Sequence, residues 1–367
     1  MRIAFRADAS LQMGSGHIMR CVTLADALKQ RGAECHFLCR DHPGHLVELV
    51  RGKGHVVHVL NCEQDSPIDP EGPAHAAWLG ATQEQDVQAC LPILQALQPD
   101  WLIVDHYALD IRWEERLRPF CRRLMVIDDL ADRVHACDLL LDQNLGRLPG
   151  DYARLTPSHC RTLIGPTYAL LRPDFSQLRE YSLQRRKTPA LRHLLITMGG
   201  VDQYNASGRV LDALKQVRLP ADCKISVIMG LQAPWVELVR TMALQMPWPT
   251  DVLVNVDDMA QRMAEADLAI GAAGSTSWER CCLGLPTFQL VSAQNQQEAA
   301  RALEEVGAVR KLSLEDDLSS TLPRLFDALG KHLEGLRNLT QQAAAVTDGS
   351  GCRLLMCELL GGLNYGQ

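Results

Sequence analysis

The sequence predicts an α/β protein built from two doubly wound, parallel-sheet domains, and three observations carry that expectation. Short apolar runs alternate with helical patterns along most of the chain, the order that builds a parallel sheet with helices on both faces. The alternation halts at the charged stretch Arg185-Arg186-Lys187-Thr188-Pro189 and restarts at Leu194-Leu195-Ile196-Thr197. Each half carries a Gly-rich loop after its first strand, Gly14 to Gly16 in one and Gly199-Gly200 in the other. A length of 367 residues also suits two domains of about 150 residues each.

In the first half, Arg2 to Phe5 reads as a strand and Ala7 to Gly16 as a polar loop. His17 to Gln30 is helical, because Ile18, Cys21, Val22, Leu24, Ala25 and Leu28 recur at helical spacing and Gly32 stops the pattern. Glu34 to Cys39 is a strand, Leu46 to Val50 a short helix and His55 to Leu60 a strand, followed by an exposed loop, Asn61 to Pro73, broken by three prolines. Gln83 to Leu97 and Ile111 to Phe120 are helices between the strands Trp101 to Val104, Leu124 to Ile127, Leu139 to Leu141 and Arg161 to Ile164, and a helix from about Asp174 ends this half. In the second half, helices Asn205 to Val217, Pro234 to Leu244, Met259 to Glu265 and Asn295 to Glu305 alternate with strands Lys224 to Met229, Val252 to Val254, Leu268 to Ile270 and Thr287 to Leu290, before a helical tail. The expected domains are residues 1–187 and 188–345, with 346–367 as a C-terminal segment. Ligands of such sheets bind beyond the carboxyl ends of the strands, so a cleft between the halves is the expected site.

Composition narrows the function. Asp and Glu exceed Lys and Arg to leave a net charge of −7, and no basic run suited to nucleic acid occurs. No apolar run approaches the ~20 residues of a membrane span, and Met1 to Arg6 reads as a strand, not a signal peptide, so a cytoplasmic location is expected. Thirteen cysteines lie scattered among apolar residues without metal-type spacing and read as reduced core thiols.

The chemistry concentrates in two places. Gly271-Ala-Ala-Gly-Ser-Thr-Ser-Trp-Glu279 follows a short buried strand and opens a helix. Gly274, Ser275 and Thr276 there resemble a phosphate cradle: the two hydroxyls can cap the helix while its amides and positive dipole end meet a diphosphate without a metal. Glu279, one turn on, is placed to accept hydrogen bonds from the vicinal hydroxyls of a ribose. Taken alone, the same pattern also serves as a tight strand-to-helix turn. In the first half, His17 follows Gly14-Ser15-Gly16 at a helix N-terminus, where the dipole favours a neutral imidazole able to take a proton. His17 is therefore the candidate base, with His106 its rival. Asp8 and Asp105 are the carboxylates available to orient the ring or the substrate. The acidic run Asp128-Asp129 to Asp138 reads as a solvated loop in preference to a metal site, and Asn144, Asn295 and Gln296 are candidates for holding sugar hydroxyls or amides.

Several of these motifs, in this order, resemble the UDP-2,4-diacetamido-2,4,6-trideoxy-β-L-altropyranose hydrolases of pseudaminic acid biosynthesis. They are Arg6 to Ser10, Met13-Gly-Ser-Gly-His-Ile-Met-Arg-Cys21, Ile127 to Arg133, Leu141 to Asn144, Gly165 to Pro173, Ile196 to Gly200 and Gly271 to Glu279, spanning about residues 1 to 310. The second half is also similar to MurG-type glycosyltransferases through Val256-Asp-Asp-Met259, Glu279 and Leu285-Pro286. The resemblance implies a GT-B fold, with a helix at Cys352 to Leu360 crossing back to the first domain. It implies that His17 activates water against the anomeric carbon, with inversion and without metal or other cofactor. Substrate contacts fall at Gly14, Gly16, Asp8, Asp105, Asn144, Tyr168, Gly199, Asn295 and Gln296, and UDP contacts at Val256, Met259, Gly274, Ser275, Thr276 and Glu279. The implied partners are a UDP-linked diacetamido-trideoxy sugar and water, acted on by a monomer. Trp78 and Gly80 match no part of the family pattern. A UDP-sugar glycosyltransferase and a non-catalytic nucleotide-sugar-binding protein stand as the alternatives.

Overall fold

The computed structural model describes residues 1–62, 72–330 and 333–361, so most of the proline-broken loop lies outside the described residues. In chain order come β1 (Arg2–Ala7), α1 (Gly16–Lys29), β2 (Glu34–Arg40), α2 (Val47–Gly52), β3 (Val56–Leu60), α3 (Gln83–Leu97), β4 (Trp101–Asp105), α4 (Ile111–Leu117), β5 (Arg123–Ile127), β6 (Leu139–Asp142) and β7 (Arg161–Ile164). There follow α5 (Pro173–Arg185), β8 (His193–Thr197), α6 (Ala206–Leu214), β9 (Lys224–Met229), α7 (Val236–Ala243), β10 (Thr250–Val254), α8 (Met259–Glu265), β11 (Leu268–Ala272), α9 (Thr276–Cys282) and β12 (Thr287–Val291). The chain ends with α10 (Gln297–Glu305), β13 (Arg310–Ser313), α11 (Leu318–Asp327), α12 (Glu334–Val346) and α13 (Gly351–Leu359).

The chain forms two compact units, Met1–Leu170 with the segment from Gly351 onward, and Leu171–Ser350. The first holds a seven-stranded sheet of order β3-β2-β1-β4-β5-β6-β7, the second a six-stranded sheet of order β10-β9-β8-β11-β12-β13. Every strand pair among the described residues is parallel. Because successive side chains of a strand point to opposite faces, a strand covered on both sides is apolar throughout. In β1, Ile3 and Phe5 pack into a core with Ile18 of α1 and Leu355 of α13, while Ala4 packs into a separate core with Leu94 of α3 and Trp113 of α4.

Two expectations are corrected. The division between units falls after Leu170, not after Lys187, because α5 is fastened to the second unit. Arg179 donates to the carbonyls of Cys282, Ala344 and Thr347, Ser182 to that of Leu283, and Arg186 to those of Met263 and Ala266. A charged stretch marks the start of β8 in sequence, but these helix-to-carbonyl bonds decide ownership. The helical tail also contains an edge strand, β13, pairing in parallel with β12. Arg310-Lys311-Leu312-Ser313 carries one buried apolar residue, Leu312, too little pattern to announce a strand.

The segment from Gly351 is seated closely in the first unit. A Cβ on Gly351 would lie 2.2 Å from the carbonyl oxygen of Ala169, the indole of Trp101 donates to the carbonyl of Leu359 at 3.1 Å, and Leu355 has no exposed surface. Leu355→Ala leaves a cavity in that core and lowers the stability of the first unit by about 2–5 kcal/mol, read as a lower melting temperature.

Candidate functional site

In the first sheet the strand order reverses between β1 and β4, and loops leaving such a pair diverge and open a crevice at their carboxyl ends. Ala7 pairs with Asp105 across these strands, which brings the loop after β1 beside the end of β4. Gly14, at φ +80°, supplies the left-handed turn that returns the loop to Gly16 and starts α1.

His17, in the first turn of α1, places Nδ1 2.6 Å from Oδ1 of Asp105. Asp105 has no exposed surface, and Arg20 grips it with Nε at 2.6 Å from Oδ2 and Nη2 at 2.6 Å from Oδ1. Burial alone would push this carboxyl up, but Arg20 and His17 outweigh it and hold Asp105 well below the usual carboxylate range. A carboxylate only accepts, so Nδ1 carries the ring proton and Nε2 keeps its lone pair. Nε2 makes no hydrogen bond among the described residues, and the ring is 6 % exposed. The same guanidinium reaches Asp129 at 2.7 Å, and Tyr107 donates its hydroxyl to Asp129 at 2.7 Å while its ring meets His17 edge-on at 4.5 Å.

The rival histidine is arranged differently. His106 accepts the backbone N–H of Ala108 on Nδ1 at 3.1 Å, which puts the proton of the neutral ring on Nε2, 3.4 Å from Oδ2 of Asp8. Burial lowers its pKa and the ring is enclosed, so neither nitrogen is open to a reactant. Asp8 itself is buried against Arg6 at 2.7 Å and accepts the N–H of Arg40 at 2.7 Å, so the carboxylate that contacts His17 is Asp105.

The acidic run is not solvated where it begins. Asp128 is buried 3.0 Å from Arg133, with Tyr152 donating to it at 3.0 Å, and Asp129 belongs to the Arg20 lattice. Asn144 donates its amide to the backbone carbonyl of Asp129 at 3.2 Å, and Tyr168, in a 3-10 turn, packs on the core of its own unit. Arg20 and Tyr107 were not singled out by sequence reasoning, and Asp129 entered it only as part of the acidic run. The only signal was the spacing of Arg20, one turn after His17 on the same helix face.

In the second sheet the order reverses between β8 and β11, and each expected residue follows the carboxyl end of a strand: Gly199 after β8, Val256 and Met259 after β10, Gly274 to Glu279 after β11, Asn295 and Gln296 after β12. The two Gly-rich loops differ in charge. The amides of Ala206 and Ser207 at the start of α6 are taken by the carboxylate of Asp202, at 2.7 and 3.0 Å, so that helix end already holds an anion of its own. At α9 the expected caps are absent. Ser275 already has helical dihedrals (φ −56°, ψ −32°), and the hydroxyl of Thr276 accepts from Arg280 at 3.2 Å. Among the described residues the N–H groups of Gly274, Ser275 and Thr276 meet no acceptor. Gln296 accepts the N–H of Ser292 at 3.2 Å from a 3-10 turn that precedes α10, and Asn295 is exposed on the same turn.

Under this turn lies Arg280, 1 % exposed, donating to the carbonyl of Ala272 at 2.8 Å and to no carboxylate among the described residues. Burial brings its pKa down to about 10. A Cβ on Gly271 would stand 2.5 Å from its Nη1, so glycine makes room for the guanidinium. The side chain of Glu279 has no hydrogen bond or ion pair among the described residues, and burial pushes its carboxyl up to about 7 against the pull of Arg172 and Arg280. The described residues hold no group of three or more His, Cys, Asp or Glu arranged for a metal ion.

No family model matches the chain. It is 23 % identical over 309 residues to the UDP-2,4-diacetamido-2,4,6-trideoxy-β-L-altropyranose hydrolase of Campylobacter jejuni, covering 84 % of this chain and 97 % of the relative. It is 24 % identical over 317 residues to the spore coat polysaccharide biosynthesis protein SpsG of Bacillus subtilis, covering 86 % and 84 %. An uncharacterized protein of Methanocaldococcus jannaschii is 23 % identical over 303 residues, 81 % of this chain, and the match spans only 57 % of that longer relative. Among solved structures, MurG of Acinetobacter baumannii superimposes with a TM-score of 0.70 at 16 % identity, covering 98 % of this chain and 99 % of that one. The fold is of the GT-B type. That likeness concerns architecture, and at such identity it assigns no reaction.

An unpartnered acid with a raised folded-state pKa destabilises the protein. Its carboxyl keeps its proton up to about 7 when folded but loses it near the ordinary value of 4.5 when unfolded, so stability falls as pH rises between the two. Glu279→Gln is therefore expected to raise the melting temperature at pH 8 and leave it nearly unchanged at pH 4.5, measured by calorimetry.

Proposed function

We propose that the protein hydrolyses a UDP-linked sugar, and that the sugar is the 2,4-diacetamido-2,4,6-trideoxy-β-L-altropyranose named for the Campylobacter relative. The observation that carries the reading is His17, whose Nδ1 proton is fixed on Asp105 while Nε2 stays free to accept one. A binding protein has no use for a base oriented in this way.

In this reading the second unit holds UDP. The free amides of Gly274, Ser275 and Thr276 and the unpaired charge of Arg280 favour the diphosphate, and Glu279 accepts the ribose hydroxyls. The main chain at Val256 and Met259 reads the base. The first unit supplies the proton acceptor: Nε2 of His17 takes a proton from water as the oxygen attacks the anomeric carbon, the bond from that carbon to the diphosphate oxygen breaks, and UDP leaves with inversion. Asp105 stabilises the imidazolium that forms. The leaving diphosphate is acidic enough to depart without a proton donor, its charge met by the cradle. The free sugar is the second product, and His17 returns its proton to solvent.

A sugar acceptor in place of water gives the glycosyltransferase reading, since one base serves either nucleophile. Purified protein given the diacetamido sugar nucleotide without acceptor is expected to release UDP through many turnovers, and silence until an acceptor is added refutes hydrolysis. His17→Ala is expected to lower kcat by ~10² or more with little change in UDP affinity, because a base acts in the transition state. Glu279→Ala is expected to weaken UDP binding by about 1–3 kcal/mol in calorimetric titration.

A further inference from the structure

We propose that Asp129, acting through Arg20, sets the proton affinity of His17, so that the cluster is one negative charge in excess while the ring waits and neutral once the ring has taken its proton. The inference rests on the assignment of His17 as the base, but its first test does not.

The geometry makes the charge count simple. Arg20 lies between two carboxylates and is bidentate to both, with Nε and Nη2 on Asp105 at 2.6 Å each, and Nη1 and Nη2 on Asp129 at 3.0 and 2.7 Å. One guanidinium cannot neutralise two carboxylates. Its Nη2 also stands 3.4 Å from Nδ1 of His17, so the ring is coupled to both acids through one cation.

The other titratable groups near the ring add no charge to the balance. On α1, burial pushes the Cys21 thiol up, and on the segment after β4 it pushes the Tyr107 hydroxyl up and the His106 ring down, leaving all three neutral. His75, which meets Tyr107 ring to ring at 5.3 Å, is likewise lowered by burial. Asp8 is matched by Arg6 at 2.7 Å, and Arg133, 5.8 Å from the Tyr107 ring, is matched by Asp128 at 3.0 Å and Asp132 at 2.8 Å. Beyond Asp129, Asp142 is pushed up to about 7 by burial and by Asp129 itself, and lies 3.5 Å from Arg147. What remains facing His17 is Asp105, Arg20 and Asp129.

Asp129 accepts from Arg20, Tyr107 and, at 3.4 Å, the amide of Asn144, and makes no bond to His17, so it is a positioning residue. Tyr107 donates to Oδ2 of Asp129, the oxygen that Nη2 of Arg20 also reaches, and so holds the carboxylate against the guanidinium. Removing the charge of Asp129 leaves the imidazolium with less attraction and a weaker base. Removing the charge of Arg20 leaves two unscreened carboxylates and a stronger one. The two substitutions therefore move His17 in opposite directions, which loosened packing would not do.

The test is a histidine-labelled NMR titration of the ligand-free protein, with the His17 resonance assigned by its loss in His17→Gln. Asp129→Asn is expected to move the His17 midpoint down by about one pH unit and Arg20→Gln to move it up by about one, with Asp129→Glu restoring the original value. Shifts of the same sign, or none in either variant, overturn the proposal. The acid limb of kcat/KM for UDP release is expected to follow the NMR midpoints. If the midpoints move as stated and the limb does not, the electrostatic proposal stands and the assignment of His17 as the base falls.

Discussion

Asp105 stands at the end of β4 with no surface exposed, and a carboxylate in that position stays ionised only because Arg20 grips both oxygens and His17 donates to one. Taking a charge out of water costs several kcal/mol unless it is paired and hydrogen-bonded. The pairing does more than lower that cost. An ionised acceptor beside Nδ1 selects one tautomer of the imidazole, and the tautomer decides which nitrogen can do chemistry. His106, one residue further along, shows the reverse case: a backbone N–H occupies Nδ1, and the other nitrogen points at Asp8.

The second unit carries its chemical potential in groups left unsatisfied. At α6 the chain closes its own helix end with Asp202, whereas at α9, among the described residues, three amides and a carboxylate stand without hydrogen-bonding partners and a guanidinium without an anionic one. Arg280 is the buried member of this set, and a buried charge without an anionic partner reduces stability. Glu279 and Arg280 are neighbours on one helix, yet they do not pair, because Arg280 turns back under Gly271 and Ala272. A side chain at 271 would close that space.

Close backbone approaches brace each unit as well. Gly200 and Gly230 approach so closely that a Cβ on Gly230 would lie 1.9 Å from the carbonyl oxygen of Gly200, which ties the loop after β8 to the loop after β9. Gly351 is held against Ala169 in the same manner in the first unit. Interiors packed to this density fix the positions of the loops that carry the polar groups.

The alternation of apolar runs with helical patterns was enough to determine two parallel sheets, because strands covered on both faces must be apolar and the helices between them must be amphipathic. The Gly-rich loops and His17 were legible for a similar reason: tight turns at strand ends need glycine, and a polar residue just inside a helix start is conspicuous. Sequence could not decide which carboxylate meets His17, since Asp8 and Asp105 stand equally at strand ends and only the pairing of β1 with β4 and the reach of Arg20 separate them. Nor could it place Asp128 and Asp129, whose charges suggested solvent until the fold turned the nearby Arg133 back onto Asp128 and brought Arg20, 109 residues away in the chain, against Asp129. The weak edge strand β13 and the ownership of α5 were likewise decided by neighbours in space. Local pattern records what a segment must bury, while ion pairs between distant residues are written in no segment and exist only once the chain has folded.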